Sequence, residues 1–351
     1  MSVSAPAPPP LTRARSAVPP APARPWLLAA AVAAGLTAAV LLGQLAVSRV
    51  PFGTAGEPAD VRIAIIHCLM IGYAVGALRF VLGGVQRRVA AIAPSLDLAE
   101  AEHRSAIAAA GRIGRRTLVA AFVAGAVIAF AGPYLSGEGD VTPWDPSGWS
   151  AEVVWHRVLG LPAAVLLVLL GIATVIESTR MSRLAARLRP IDLLRLEGLT
   201  PFTQQGLANA LAGVGAVSVF LLFVYDQGIT PLVMIASVAT TAAVVAALLL
   251  PLRGVRSRIR EAKARELAWV DVAAAAARDR LRAAVAAGDA DPAAAGRLSD
   301  LLAWRATVER IREWPLDQSA VARVVLYLAI PLLSWLASTL LSALFERALF
   351  G

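Results

Sequence analysis

Apolar runs of about twenty residues, parted by short polar connections, recur along the chain from Trp26 onward. A helix rises about 1.5 Å per residue, so about 20 apolar residues cover the roughly 30 Å hydrocarbon core of a bilayer. The pattern predicts seven spans, at 26–47, 62–85, 117–136, 157–177, 207–225, 230–251 and 322–345. The expected fold is therefore all-α, a polytopic transmembrane helix bundle. A secretory signal peptide would carry an apolar core of only about 7–15 residues, shorter than the first run, which predicts an uncleaved span.

The polar stretches set the division of the chain. Residues 1–25 hold eight prolines with Arg13, Arg15 and Arg24, and are expected as a disordered cytoplasmic tail. A six-span bundle follows over 26–252, then a polar helical segment over 253–320, then the seventh membrane helix and C-terminus over 321–351. Within 253–320, Leu267, Val270, Ala274, Ala277, Leu281 and Ala284 recur three and four apart. Leu301, Trp304, Val308 and Ile311 repeat that spacing on the far side of Gly288–Pro292, with Asp291 as the expected cap. These are the coiled-coil-like seams of a cytoplasmic antiparallel helical hairpin. Arg305 with Glu309, and Glu261 with Arg265, stand at the spacing of solvated surface pairs.

Charge adds an orientation. Arg87, Arg88, Arg104, Arg112, Arg115 and Arg116 crowd the connection after the second span, and Arg180, Arg183, Arg187, Arg189 and Arg195 the one after the fourth. Arg253 to Arg265 follow the sixth, whereas Glu138, Asp140, Asp145 and Glu152 occupy the connection after the third. Positive loops stay on the cytoplasmic side, so the N-terminus is expected there. The net charge of +9 thus reflects membrane orientation, and no basic–aromatic surface argues for nucleic acid. The hydrophobic fraction of 58% and mean hydropathy of +0.67 exceed the roughly 45–50% apolar content of soluble domains.

Polar residues inside apolar spans are costly unless partnered. Gln44, His67 and Asn209 stand out, with two open readings: hydrogen bonds between helices, or a polar path joined by Thr240 and Thr241. Arg79 and Glu177 lie at a similar depth and are candidates to pair, although snorkelling of Arg79 is the plainer expectation. Gly72 and Gly76, and Gly206 with Ala210, give small-xxx-small patterns expected to pack helices. Tyr134, Trp144, Trp149 and Trp155 suit an interfacial belt. A weak echo links Arg88–Pro94 and Asp97-Leu98 to Arg183–Pro190 and Asp192-Leu193.

Candidate chemistry is sparse. Cys68 is the single cysteine, so no internal disulfide and no cysteine-based zinc site is expected. His156 with Glu152 and Asp145 matches no metal-ligand spacing, and no nucleophile elbow, H-E-x-x-H or phosphate loop occurs. The sequence thus predicts no catalytic residue, metal or cofactor.

Pro251-Leu-Arg-Gly-Val-Arg-Ser-Arg-Ile-Arg260, Ala262-Lys263, Arg312-Glu-Trp-Pro-Leu-Asp317, Ile191–Leu194, Pro201-Phe202 and Gln205–Leu207 resemble stretches of an uncharacterised family of bacterial multi-pass membrane proteins. That resemblance implies a bacterial plasma-membrane location and brings no activity. The expected function is a non-enzymatic membrane protein presenting its hairpin to a protein partner, as scaffold or signalling component. The alternative is a channel or transporter with a polar path through the bundle. Expected partners are the bilayer itself and a cytoplasmic protein or second copy.

Overall fold

The structure, a computed structural model, describes residues 25–47, 61–135, 151–227, 231–289 and 291–315, with Ala322, Val325, Leu326 and Ala329 beyond them. These residues are helical: α1 (Pro25–Val47), α2 (Val61–Ile92), α3 (Glu100–Ala109), α4 (Arg115–Leu135), α5 (Ala151–Ala185), α6 (Thr200–Gln227), α7 (Pro231–Ala286) and α8 (Pro292–Arg310). Among them, three stretches are long and apolar enough to cross a membrane, Pro25–Gly43, Ala64–Ser95 and Arg157–Ala185. The spans expected at 117–136, 207–225 and 230–251 fall on α4, α6 and α7, of which parts of the side chains lie outside the described residues. The tail before residue 25, the connections holding Trp144 and Trp149, and nearly all of 322–345 lie outside them too.

Close approach of helix backbones organises the bundle. A Cβ on Gly72 would stand 2.6 Å from the Ala29 carbonyl O and 2.7 Å from Ala33 Cβ, and one on Gly76 2.6 Å from Ala29 Cβ. Helix α1 therefore lies directly on α2, within one chain, with the Trp26 ring 5.9 Å from Tyr73 and 5.6 Å from Phe80. Gly206 admits the Leu248 carbonyl of α7, where a Cβ would stand 2.5 Å away, and Ala210 is buried beside it. Around α2 gather α1, α5 and α6, while α5 also carries α4 and α7.

The largest core cluster sits at the arginine-rich end. There Val85, Val89 and Ile92 of α2 meet Met181 and Ala185 of α5, Phe202 of α6, and Leu252, Val255 and Ile259 of α7. The two connections that echo each other in sequence also meet there, through an antiparallel bridge between Leu96 and Leu188. Asp97 N–H donates to the Arg187 carbonyl (2.7 Å) and Arg189 N–H to that of Ser95 (3.0 Å).

α7 is one helix of 56 residues that passes through Pro251. Beyond the bundle α8 runs back along it. Val270 and Ala277 of α7 are buried against Leu301, with Trp304 packed beside them, and Val308 is fully buried. Leu267, Leu281 and Ile311 are half-buried. The turn between the helices has Gly288 at φ 74°, a left-handed conformation that suits glycine. Asp291 caps α8 by accepting from Ala294 N–H (2.8 Å).

Candidate functional site

Four helices are tied at the arginine-rich end by a chain of polar side chains. Arg88 of α2 donates to Gln205 Oε1 of α6 (2.6 Å), Gln205 Nε2 donates to Asn209 Oδ1 (2.7 Å), and Asn209 Nδ2 donates to Ser178 Oγ of α5 (2.8 Å). Gln205, Asn209 and Ser178 are fully buried. The i,i+4 spacing of Gln205 and Asn209 sets both amides on one face of α6, so they bond in series.

Asn209 has a second task. Its Nδ2 also reaches the Ala247 carbonyl of α7 (3.4 Å). That carbonyl lies four residues before Pro251, so proline has removed its helical N–H partner. The neighbouring amide supplies the missing donor, which is how a helix inside apolar surroundings carries a proline without breaking. The continuity of α7 thus depends in part on a side chain of α6.

Beside this chain lies a cavity of about 340 Å³ between α3 and the end of α5. Arg180, Arg183 and Arg187 line it, three and four residues apart on one face of α5 and its extension, together with Glu177. Glu177 is buried. Its Oε1 accepts from Gly111 N–H (3.2 Å) and from Arg180 Nη1 (2.5 Å). Arg180 Nη1 also reaches the Ala109 carbonyl (2.9 Å). Gly111, at φ 72°, is the turn that brings its N–H to the carboxylate. Glu177 Oε2 has no hydrogen-bond partner among the described residues.

The other sequence-selected residues are scattered. Glu177 pairs with Arg180, while Arg79 is exposed, so the two are not brought together. The i,i+3 spacing of Glu177 and Arg180 was the available signal. His67 is buried where α5 passes, its Nε2 lying 3.3 Å from where a Gly160 Cβ would stand. It sits about 30 Å along α2 from Arg88, so it does not join the Asn209 chain. Gln44 lies on α1 with its side chain outside the described residues, as does Thr240 on α7; Thr241 is half-buried. Sequence reading missed Arg157, which is buried and donates to two carbonyls of α4, Ala129 (3.2 Å) and Phe130 (3.3 Å), with Phe130's ring 5.7 Å below.

At the base of the α7–α8 pair, Arg258 donates to the Leu188 carbonyl (2.7 Å) and Arg256 lies 4.7 Å over the Trp314 ring. Thr203 Oγ1 donates to the Pro315 carbonyl (2.9 Å). Further out, Trp304 Nε1 donates to Glu266 (2.9 Å), and Arg305 faces both Glu309 (3.1 Å) and Asp271 (3.5 Å). Glu261 pairs with Arg258 (3.2 Å) and not with Arg265, because Arg258 is already drawn to that face by Leu188. Among the described residues no cluster of His, Cys, Asp and Glu suited to a metal ion is present. The chain matches no protein-family model, no curated protein and no solved structure.

Proposed function

We propose that this chain is a non-enzymatic multi-pass protein of a bacterial cytoplasmic membrane, with a cytoplasmic N-terminus, that presents α7–α8 as a cytoplasmic helical hairpin to a protein partner. The observation that supports this is the length of α7. Its 56 residues make a rod of about 84 Å, where a bilayer needs roughly 30 Å. The surplus is braced at its base by Arg258, Arg256 and Thr203, which suits an arm held in a fixed direction.

The arm also carries apolar surface that it does not use itself. Trp269 is 57% exposed and Val272, one turn on, 73% exposed. Exposed tryptophan is the residue type most enriched at protein-binding hot spots. The buried polar chain fits a brace better than a transport path, since its members bond to one another and His67 stands apart.

The test is crosslinking in native membranes, comparing the full chain with one in which residues 264–310 are removed. Lys263 Nζ donates to the Ile311 carbonyl (3.2 Å), so the cut ends already meet, and the buried Val255 and Ile259 are kept. A protein captured only by the full chain is the expected result. If the shortened chain inserts and folds, and every captured protein remains, the arm has no partner and the channel or transporter reading takes its place.

A further inference from the structure

The cavity beside Glu177 joins two features that no part of the arm requires. Arg183 and Arg187 are exposed, and neither has a carboxylate partner among the described residues. They stand where the apolar crossing stretch of α5 ends at Ala185, which is the headgroup level of a membrane protein. Deeper in, Glu177 presents a carboxylate that is 1% exposed and has one oxygen without a donor among the described residues. An oxygen left so is destabilising unless a donor reaches it. The one other acid on the wall, Glu102, already accepts from Ala99 N–H (3.2 Å). Val89, Leu98 and Leu184 make the rest of the wall apolar.

An occupant must therefore offer an anion to the guanidiniums, a hydrogen-bond donor to the carboxylate, and an apolar part to the leucines. We propose that the cavity binds the headgroup of an anionic phospholipid of the phosphoglycerol type. Its phosphate rests on Arg183 and Arg187 beside Arg180, a headgroup hydroxyl donates to Glu177, and the start of an acyl chain lies on Leu98 and Leu184. A volume of about 340 Å³ is at the lower end of the roughly 300–1,000 Å³ of small-molecule sites, which suits a headgroup and not a whole lipid. The inference rests on the membrane part of the proposed function and not on the arm's partner.

The experiment is native mass spectrometry of the full chain, extracted in mild detergent, stripped of lipid and offered phospholipids of identical acyl chains. Phosphatidylglycerol is expected to be retained about tenfold better than phosphatidylcholine, and severalfold better than phosphatidylmethanol, which keeps the charge and lacks the hydroxyls. Arg183→Gln with Arg187→Gln should lower phosphatidylglycerol retention about thirtyfold, the loss expected for two interfacial cations. Both residues are exposed, so the variant is expected to fold. Equal retention of phosphatidylglycerol and phosphatidylcholine, or retention untouched by the double substitution, overturns the site. Parity with phosphatidylmethanol overturns the role of Glu177. Binding of glycerol phosphate or inorganic phosphate as tight as that of the lipid assigns the site to free phosphate instead. Recovery of the chain from the soluble fraction would fail the membrane reading before any lipid is added.

Discussion

Replacing Gly254 by leucine should force α5 and α7 apart and destabilise the bundle. A Cβ there would meet the Ser182 carbonyl of α5 and stand 2.9 Å from Ala185 Cβ. Those neighbours are backbone and a short side chain, so nothing can swing aside and the helices themselves must move. Overpacking of a closed core costs about 1–3 kcal/mol and sometimes more. Here the displaced residues include Met181, Ala185, Leu252 and Val255, all in the largest core cluster. Thermal unfolding of the detergent-extracted protein should show a midpoint several degrees lower, with Gly254→Ala in between. A midpoint unchanged by leucine would mean that α5 and α7 do not approach so closely.

Gln205→Leu should be at least as damaging, for a different reason. The side chain volume is kept, so packing is preserved, but Arg88 loses its acceptor and Asn209 its donor at one stroke. Two polar groups left unsatisfied at about 1–3 kcal/mol each sum to roughly 2–6 kcal/mol. Ser178→Ala, which removes one hydroxyl at the end of the chain, should cost nearer the average of about 0.6 kcal/mol for a hydrogen bond between membrane helices. The two variants compared in one unfolding assay separate a connected chain from independent bonds. Equal, small effects would sink the idea that the four side chains act together.

Sequence periodicity was sufficient for helix content and for the α7–α8 contact. The three- and four-residue spacing that runs through Val270 and Ala277, and again through Leu301 and Val308, is a local signal, and these four residues are buried. Asp291 followed by Pro292 is equally local, and the cap is made. What depends on distant parts of the chain was not legible. Nothing local to Pro251 tells how α7 continues through it, because the side chain that satisfies Ala247 lies on α6, 38 residues earlier. Arg88 reads as one of many loop arginines, since its partner Gln205 is 117 residues away. The pairing of Leu96 with Leu188 gives the weak echo of their segments a physical place, yet alanine-rich helix ends repeat too easily to have announced it. Glu177 is the opposite case: its partner Arg180 stands three residues away, within local reach, while depth offered Arg79 as a candidate beside the plainer expectation that Arg79 snorkels.

Lys263 is the single lysine among 33 basic residues, and its ammonium donates to the carbonyls of Glu309 (2.6 Å) and Ile311 (3.2 Å) at the end of α8. Apart from a chain-terminal amine, the protein therefore carries one acylable nitrogen, placed where α8 meets α7. While α8 is docked that nitrogen is tied to two acceptors, and when α8 lifts away it is released to solvent. Its rate of modification by a succinimidyl ester becomes a built-in gauge of docking. The rate should rise severalfold in Leu301→Asp, where α8 can no longer pack, and fall back when a partner clamps the pair. Mass spectrometry of one tryptic region would read arm opening in intact membranes, with no engineered label.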